Sequence, residues 1–254
     1  MKQPPDKQPD ESRRGGGQRR RVRRPPAPVL TERDGEILRW IARHGIVTPE
    51  LIGRRFFWRP DRKDYGKWAA YRRIRAMEVL GLVIRNKPYA HKEEVIRLTR
   101  EGARLADVGL RPAPLVLSQL DHTLAVVALT EFLLAKNKGA ELVTERELRA
   151  TRYREFREGK RSPSRGRAAD ALLRIPTKKS AGAQGVKTVA IELDLSRKDR
   201  RAMERMVLAY DREPGVSEVW WYVQPTRVDA TKAVVIKLRA EDRFKVFKYG
   251  PRSN

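Results

Sequence analysis

Two short apolar segments that carry three acidic residues constrain the fold more than any other part of this sequence. Residues 169–175 contain Asp170, and residues 189–195 contain Glu192 and Asp194. Alternate residues of a strand share one face, so Glu192 and Asp194 are expected to point away from the apolar side chains between them. If the strands are neighbours, Asp170 joins the other two, and only protons or a divalent cation relieve the repulsion of the carboxylates. The sequence therefore predicts a candidate metal site of Asp170, Glu192 and Asp194.

The overall charge makes a cluster of acids unexpected here. The chain has 254 residues and a formal net charge of +25, with 57 Lys and Arg against 32 Asp and Glu. This excess is larger than solubility requires and indicates a polyanionic partner, which is DNA, RNA or an anionic membrane. No apolar run is expected to approach the roughly twenty residues of a membrane span, and no signal-peptide pattern follows the basic N-terminus. We therefore expect a cytoplasmic protein that does not bind membranes and is associated with the nucleoid or a plasmid.

Cysteine and histidine usage excludes several kinds of site. The chain contains no cysteine, which rules out disulfides, thiolate zinc sites and cysteine nucleophiles. Its three histidines, His44, His91 and His122, are too widely spaced to suggest a histidine-built metal site. His122 is expected to be a helix-start or packing histidine rather than a base.

The first 28 residues predict a disordered basic arm. They are dominated by Pro, Gly, Gln and Arg, and the basic run 19–24 has almost nothing to bury. Such an arm adds affinity for phosphates without sequence specificity. The alternative is a solvated tail with no specific role.

Residues 29–110 show the order of a winged helix-turn-helix, which is three helices, a β-hairpin and a closing helix. Caps and breakers mark the boundaries, among them Thr31, Gly45, Thr48 and Thr99. The helices are expected at 32–44, from Pro49 onward, at 67–80 and at 100–108, and the strands at 82–85 and 94–98.

The third of these helices carries the residues expected to contact double-stranded DNA. Ala70, Ile74 and Met77 mark its core face, while small residues and arginines occupy the opposite face. Arginines beside small residues suit close approach to a groove, where they bind guanine edges or phosphates. The hairpin loop would contact the backbone as a wing. The candidate DNA-binding residues are Lys67, Trp68, Arg72, Arg73, Arg75, Arg85, Lys87 and Lys92. The alternative is a solvated basic helix of a protein-interaction module.

Residues 117–250 predict a second domain of α/β type with a mixed sheet. A helix is expected at 118–136, a strand at 141–148 and a basic loop at 152–167. The two acidic strands follow, then a helix at 198–210 and further strands at 219–223 and 233–238. The chain as a whole is therefore expected to be an α/β protein of two domains, and a homodimer is left open.

Short motifs occur in both domains: residues 30–34, 37–38, 72–74, 81–83 and Leu98-Thr99-x-x-Gly102 in the first, and 121–122, 169–171 and 191–194 in the second. Together these motifs resemble those of the bacterial replication-relaxation family. The resemblance covers residues 30–224. It implies a winged helix-turn-helix followed by a restriction-endonuclease-like domain of the PD-(D/E)xK type. It also implies a role in plasmid or mobile-element DNA handling, in replication initiation or relaxation.

The resemblance assigns roles to the acidic strands. In active members, an Asp on one strand and a Glu or Asp on the next hold Mg²⁺, and a Lys two residues later orients the attacking water. Asp170 and Glu192 match the two acids, but Asp194 stands in the place of the Lys. Lys198 reaches back only if the turn after the strand folds it inward. The candidate catalytic residues are therefore Asp170, Glu192, Asp194 and Lys198.

Two functions follow from this pattern. The first is DNA binding with magnesium-dependent nicking or cleavage, in which the metal activates water and neutralises charge on the phosphate. The second is a non-catalytic replication or transcription regulator, whose acids pair with nearby Arg or Lys in a structural network. A tyrosine nucleophile is the weaker prediction, because Tyr153 and Tyr210 are each expected to be a buried or surface side chain.

Overall fold

The structure is a computed structural model that describes residues 28–59, 66–160, 168–178, 184–196, 198–211, 213 and 215–250. Within these residues, eight α-helices accompany a three-stranded antiparallel sheet and a five-stranded mixed sheet, which confirms the α/β class. The basic arm predicted at residues 1–28 lies outside the described residues except for Pro28.

The first half of the chain places four helices around the small sheet. Its elements are α1 (Glu32–His44), β1 (Ile46–Val47), α2 (Pro49–Phe56), α3 (Lys67–Val79), β2 (Val83–Asn86), β3 (Val95–Leu98) and α4 (Arg100–Ala106). The strand order is β1-β3-β2, and both pairings are antiparallel. The helices and the hairpin therefore follow the predicted order, and only the two-residue β1 was not expected.

Local capping interactions explain the helix boundaries in this half. At the start of α1, the backbone N and the Oγ1 of Thr31 donate hydrogen bonds to Asp34 Oδ2 at 2.6 and 2.7 Å. Gly45 ends α1 with a φ of 85°, a conformation that costs glycine little. Thr48 and Thr99 accept hydrogen bonds from backbone N–H groups in the first turns of α2 and α4. Apolar residues of α1, α3 and β3 then form one buried core.

The second half builds the larger sheet. Its elements are α5 (Leu120–Lys136), β4 (Glu141–Thr144), α6 (Glu145–Arg157), β5 (Ala171–Lys178), β6 (Gln184–Asp194), α7 (Arg200–Asp211), β7 (Glu218–Val223), α8 (Val228–Lys237) and β8 (Phe244–Lys248). The strand order is β4-β5-β6-β7-β8, antiparallel as far as β6 and parallel from there to β8. Leu129 and Leu133 of α5 pack with one face of the sheet, and side chains of α7 and α8 pack with the other.

The two central strands extend past their neighbours. β5 pairs with β4 only as far as Arg174, and β6 pairs with β7 only from Val189 onward. Among the described residues, 175–178 and 184–187 therefore pair with each other alone and form a two-stranded ribbon beyond the pairing with β4 and β7.

Expectations for residues 141–167 were wrong in part. The predicted strand at 141–148 ends at Thr144, because a capping box between Thr144 and Glu147 starts α6 there. The predicted basic loop from Arg152 is helical as far as Arg157. No residue of this helix is buried. Because no side of it faces a core, its sequence lacks the apolar stripe that normally indicates a helix. Residues 161–167 of the predicted loop lie outside the described residues.

The end of the chain also differs from expectation. The apolar run 233–238 belongs to α8 rather than to a strand, and its buried residues Thr231, Val234 and Val235 follow helical spacing. The last strand of the sheet is β8, which the sequence did not indicate. The parallel β7–β8 pair requires a crossover connection, and α8 supplies it.

Helix α5 and the three residues before it form a longer apolar segment than expected. Residues 117–136 are long and apolar enough to cross a membrane by length and composition, the only such helix in the described part of the chain. The expectation that no run approaches this length was therefore wrong. The core helix of a globular protein meets the same criterion, and α5 packs against both sheets: Val127 joins the first core, and Leu129 joins the second.

Gly102 of α4 is expected to tolerate no side chain. A Cβ there would lie 2.0 Å from the carbonyl oxygen of Leu82, a backbone atom that cannot move aside easily. We predict that Gly102→Ala lowers the free energy of unfolding by about 2 kcal/mol or more, measured by urea denaturation.

Gly35→Ala on α1 is the matched control for this substitution. Its Cβ would lie 3.4 Å from the flexible end of Arg39, so stability should stay unchanged or rise by up to about 1 kcal/mol through helix propensity. Equal effects of the two substitutions would contradict the proposed clash.

Candidate functional site

The three predicted acids lie at one end of the central strands of the large sheet. Asp170 directly precedes β5, and the pairing of Ala171 with Ile191 places it beside the last residues of β6. Glu192 and Asp194 occupy alternate positions at the end of β6, and all three carboxylates are buried. We call Asp170, Glu192, Asp194 and Lys198 the acidic end.

Asp170 connects two strands and a helix. Its Oδ2 accepts a hydrogen bond from the backbone N of Leu193 at 2.8 Å, where the ladder between β5 and β6 ends. The Nε2 atom of His122, on α5, lies 3.4 Å from the same oxygen and 3.1 Å from the carbonyl oxygen of Leu193. His122 thus joins α5 to the acidic end, a more specific role than the packing position expected for it.

The charge state of His122 depends on this contact. The hydrogen bond to Asp170 raises the pKa of His122 above its ordinary value of 6.5, and burial only partly opposes it. The protonated imidazole is therefore favoured next to a carboxylate that is itself 7% exposed.

Glu192 is the most deeply buried of the acids, with 1% of its surface exposed. The hydroxyl of Tyr210, on α7, donates a hydrogen bond to its Oε1. The sequence indicated Tyr210 only as an inward-facing or surface residue, and the structure makes it a direct partner of the candidate site.

Asp194 is held by the turn that follows β6. Lys198 Nζ lies 3.0 Å from Asp194 Oδ2, and both the backbone N and the hydroxyl of Ser196 donate to Oδ1 at 3.2 and 3.3 Å. The turn therefore folds Lys198 inward, as it must if this lysine is to reach the acids.

The arrangement of the acids does not fit a magnesium site. Carboxylate oxygens are suitable ligands for Mg²⁺, but a cation needs several of them directed at one point. Here each carboxylate receives a hydrogen bond or an ion pair from the protein: Asp170 from Leu193, Glu192 from Tyr210 and Asp194 from Lys198. Among the described residues, no group of three or more His, Asp or Glu side chains is arranged to hold a metal ion.

A small cavity of about 50 Å³ adjoins the acidic end. Its walls come from α1, α5, the start of α6 and the start of β5, so it lies between the two halves of the chain. His122 and Asp170 line it together with Arg43, His44 and Arg146. Burial, with a smaller contribution from nearby arginines, lowers the pKa of His44 to about 3, so this side chain stays neutral and adds no charge to the cavity.

The second candidate surface is the exposed face of α3. Trp68, Arg72, Arg75 and Val79 recur at intervals of four, three and four residues, which places them on one side of the helix. All four are exposed, and Trp68 has 78% of its surface in solvent. Three of the candidate DNA-binding cations, Arg72, Arg75 and Lys87, are exposed and make no ion pair with any described residue. Lys67 is also exposed but interacts electrostatically with Glu93.

Three other candidates are bound to acids. Arg73 donates two hydrogen bonds to the buried carboxylate of Asp34, and these bonds lower the pKa of Asp34 although burial alone raises it. Arg85 pairs with Glu94 at 2.7 Å and with Glu78 at 3.3 Å, and Lys92 pairs with Asp121 at 2.6 Å. These side chains support the fold, which leaves the α3 face and Lys87 as the accessible cations of the predicted set.

Comparison with known proteins adds no identity: no protein-family model, no curated protein and no solved structure matches this chain. The resemblance to the replication-relaxation family therefore depends on the short motifs alone. The acidic end and the exposed face of α3 are the two surfaces that bear on function.

The contact between His122 and Asp170 predicts a pH dependence of stability. Because the folded pKa of His122 is raised, the contact contributes fully below about pH 6.5, and this contribution is lost as the pH rises through the raised value. We expect His122→Gln to cost more stability at about pH 5.5 than at about pH 9, measured by urea denaturation.

His91→Gln is the matched control, because His91 is exposed on the β2–β3 loop. This substitution should change stability little at either pH. A loss for His122→Gln that is equal at both pH values would show that the ion pair with Asp170 contributes nothing.

Proposed function

We propose that this chain is a two-domain protein that binds double-stranded DNA through α3. In this proposal, residues 29–110 form a winged helix-turn-helix domain and residues 117–250 form a nuclease-like domain. The observation that carries the proposal is the exposed face of α3, where Trp68, Arg72 and Arg75 lie in a row without acidic partners among the described residues.

The order of elements in the first half supports the domain type. Three helices are followed by a hairpin and a closing helix, and β1 adds a third strand beside the hairpin. In a winged helix-turn-helix the third helix enters the major groove, and here α3 is the helix with an exposed basic face. Lys87, on the hairpin loop, is then placed to contact the DNA backbone as part of the wing.

The charge of the chain supports a nucleic-acid partner. With a net charge of +25, the protein attracts polyphosphates from a distance, and release of counterions adds affinity at each phosphate contact. The arginines of α3 supply directed hydrogen bonds on top of this general attraction. The predicted basic arm, residues 1–28, would add further phosphate contacts.

The order of elements in the second half supports a nuclease-like domain. A helix, three strands, a helix and a further strand follow one another as α5, β4, β5, β6, α7 and β7, with α6 inserted after β4. Asp170 precedes the second of these strands and Glu192 lies on the third, as in the resembled family.

The acidic end favours a domain that grips DNA or a partner without cutting it. Tyr210, Lys198 and the backbone N of Leu193 already occupy oxygens of the three acids. The best-supported function is therefore that of a non-catalytic regulator of replication or transcription. The role in a plasmid or mobile element is taken from the family resemblance.

The α3 face predicts which arginines carry DNA affinity. Arg72→Ala combined with Arg75→Ala should weaken binding to a fluorescent DNA duplex about tenfold or more and reduce the salt dependence of binding, measured by anisotropy at several salt concentrations. Each lost phosphate contact should lower the salt slope by about one.

Arg104→Ala combined with Arg149→Ala is the charge-matched control, because both arginines are exposed and pair with acids, Glu101 and Glu145. It should leave duplex affinity almost unchanged. A loss as large as that of the α3 double variant would show that DNA does not bind at α3.

Metal-dependent nicking is the second candidate, and one observation favours it. Lys198 Nζ lies 3.0 Å from Asp194 Oδ2, so a lysine is present beside the acids. It comes from a later position than in the resembled family, where a lysine stands in the place of Asp194. Release of the present hydrogen bonds on DNA binding would be needed before Asp170 and Glu192 could share Mg²⁺.

Incubation with supercoiled plasmid in the presence of Mg²⁺ or Mn²⁺ separates the two candidates. We expect the plasmid to remain supercoiled. Nicking that disappears in Glu192→Gln, which keeps the shape of the side chain and an acceptor for Tyr210, would overturn the non-catalytic proposal. Nicking that persists in Glu192→Gln belongs to a contaminating nuclease and leaves the proposal standing.

A further inference from the structure

Helix α6 has an outward face that neither the α3 surface nor the acidic end uses. The helix begins beside Asp170, whose carbonyl oxygen accepts a hydrogen bond from the backbone N of Glu145 at 3.2 Å. Its inner side is partly buried: Leu148 packs with the sheet core, and Arg152 lies 3.5 Å from Glu213. The outer side is exposed to solvent.

Two aromatic rings lie on the outer side of α6. Tyr153 has 65% of its surface exposed and Phe156 has 47%. They are three positions apart and therefore adjacent on the helix surface. No residue of this helix is buried, so packing against the rest of the protein does not explain why large aromatic side chains occur here.

Cations flank the two rings. Arg157 is four positions after Tyr153 and therefore adjacent to it on the helix surface, whereas Arg154, one position after Tyr153, lies farther round the helix on the side away from Phe156. Both arginines are exposed, and neither makes an ion pair within the described part of the chain. Arg149, one turn before Tyr153, is neutralised by Glu145 at 2.5 Å, so the available positive charge is concentrated at the C-terminal part of the helix. This set of Tyr153, Arg154, Phe156 and Arg157 is called the α6 face.

We propose that the α6 face binds single-stranded DNA. Exposed rings offer stacking surfaces to unpaired bases, and arginines beside them bind the phosphates that connect those bases. In a duplex the faces of the bases are covered by their neighbours, so an aromatic surface of this kind gains little from duplex DNA. Single-strand binding by the α6 face would accompany the proposed binding of duplex DNA by α3, and it rests on that proposed function.

The position of the α6 face relates it to the acidic end. Tyr153 lies eight residues after Glu145, which is about 12 Å along the helix axis. A single strand that stacks on the α6 face and follows the helix toward its N-terminus arrives next to Asp170. The nuclease-like domain would then hold an unpaired strand while α3 holds the duplex.

Binding of the full chain to two probes tests the proposal. The probes are a fluorescent oligothymidylate of about 20 nucleotides and a duplex of the same length, compared by anisotropy at one salt concentration. Tyr153→Ala together with Phe156→Ala should weaken binding of the single strand about fivefold or more and change duplex binding less than about twofold. Arg72→Ala together with Arg75→Ala should show the opposite pattern.

Two control variants identify stacking as the cause. Tyr153→Phe together with Phe156→Tyr keeps both rings and should retain single-strand affinity. Leu208→Ala removes an exposed apolar side chain from α7 and should change neither affinity. Circular dichroism checks that all variants remain folded, which is expected because the substituted side chains are exposed.

Several results would overturn the inference. These are unchanged single-strand affinity in the double alanine variant, equal losses on both probes, or a loss in the ring-conserving variant. Displacement of the oligothymidylate by an acidic peptide as readily as by unlabelled single strand would indicate a protein partner instead. If the duplex does not bind at all while ring-dependent binding of the single strand remains, duplex binding through α3 is refuted, and single-strand binding by the α6 face is retained.

Discussion

Helix α5 contacts both halves of the chain and, together with the ion pair of Arg43 with Glu147, helps to set their relative position. Glu131, in its middle, accepts a hydrogen bond from Trp40 Nε1 at 2.9 Å and forms an ion pair with Arg55 at 2.5 Å, and both partners belong to the first half. The same helix places His122 against Asp170 and packs Leu133 into the core of the large sheet. Because one helix makes all these contacts, the basic face of α3 and the acidic end are held in a defined relation to each other.

Local signals made the first half predictable and the second half less so. Thr31 and Gly45 lie at the ends of an apolar stripe, so cap, periodicity and breaker all indicate the same helix α1. Helix α6 has a capping box but no apolar stripe, because its surroundings leave it largely in solvent. Helix α8 differs in the opposite way: its β-branched run is typical of a buried strand, but its buried residues follow helical spacing.

In the candidate site, too, the features that depend on one strand were predictable, and the contacts between distant parts of the chain were not. Alternation along β6 predicted that Glu192 and Asp194 share a face, and this depends only on the geometry of one strand. Their partners come from other elements: Tyr210 from α7 and His122 from α5. The ion pair of Arg73 with Asp34 joins residues 39 positions apart, so the helix pattern alone could not distinguish Arg73 from the exposed Arg72.

The ribbon of residues 175–178 and 184–187 has a consequence for association between molecules. Within the described parts of the chain no further strand pairs with either edge of this ribbon, and unpaired strand edges are templates for pairing with another chain. Pro176, on β5, has no N–H group to donate to an added strand. On β6, Lys187 forms an ion pair at 2.8 Å with Glu218, the first residue of β7, so charged side chains lie where the pairing with β7 begins. These two residues limit edge-to-edge aggregation at the point where the sheet is least enclosed.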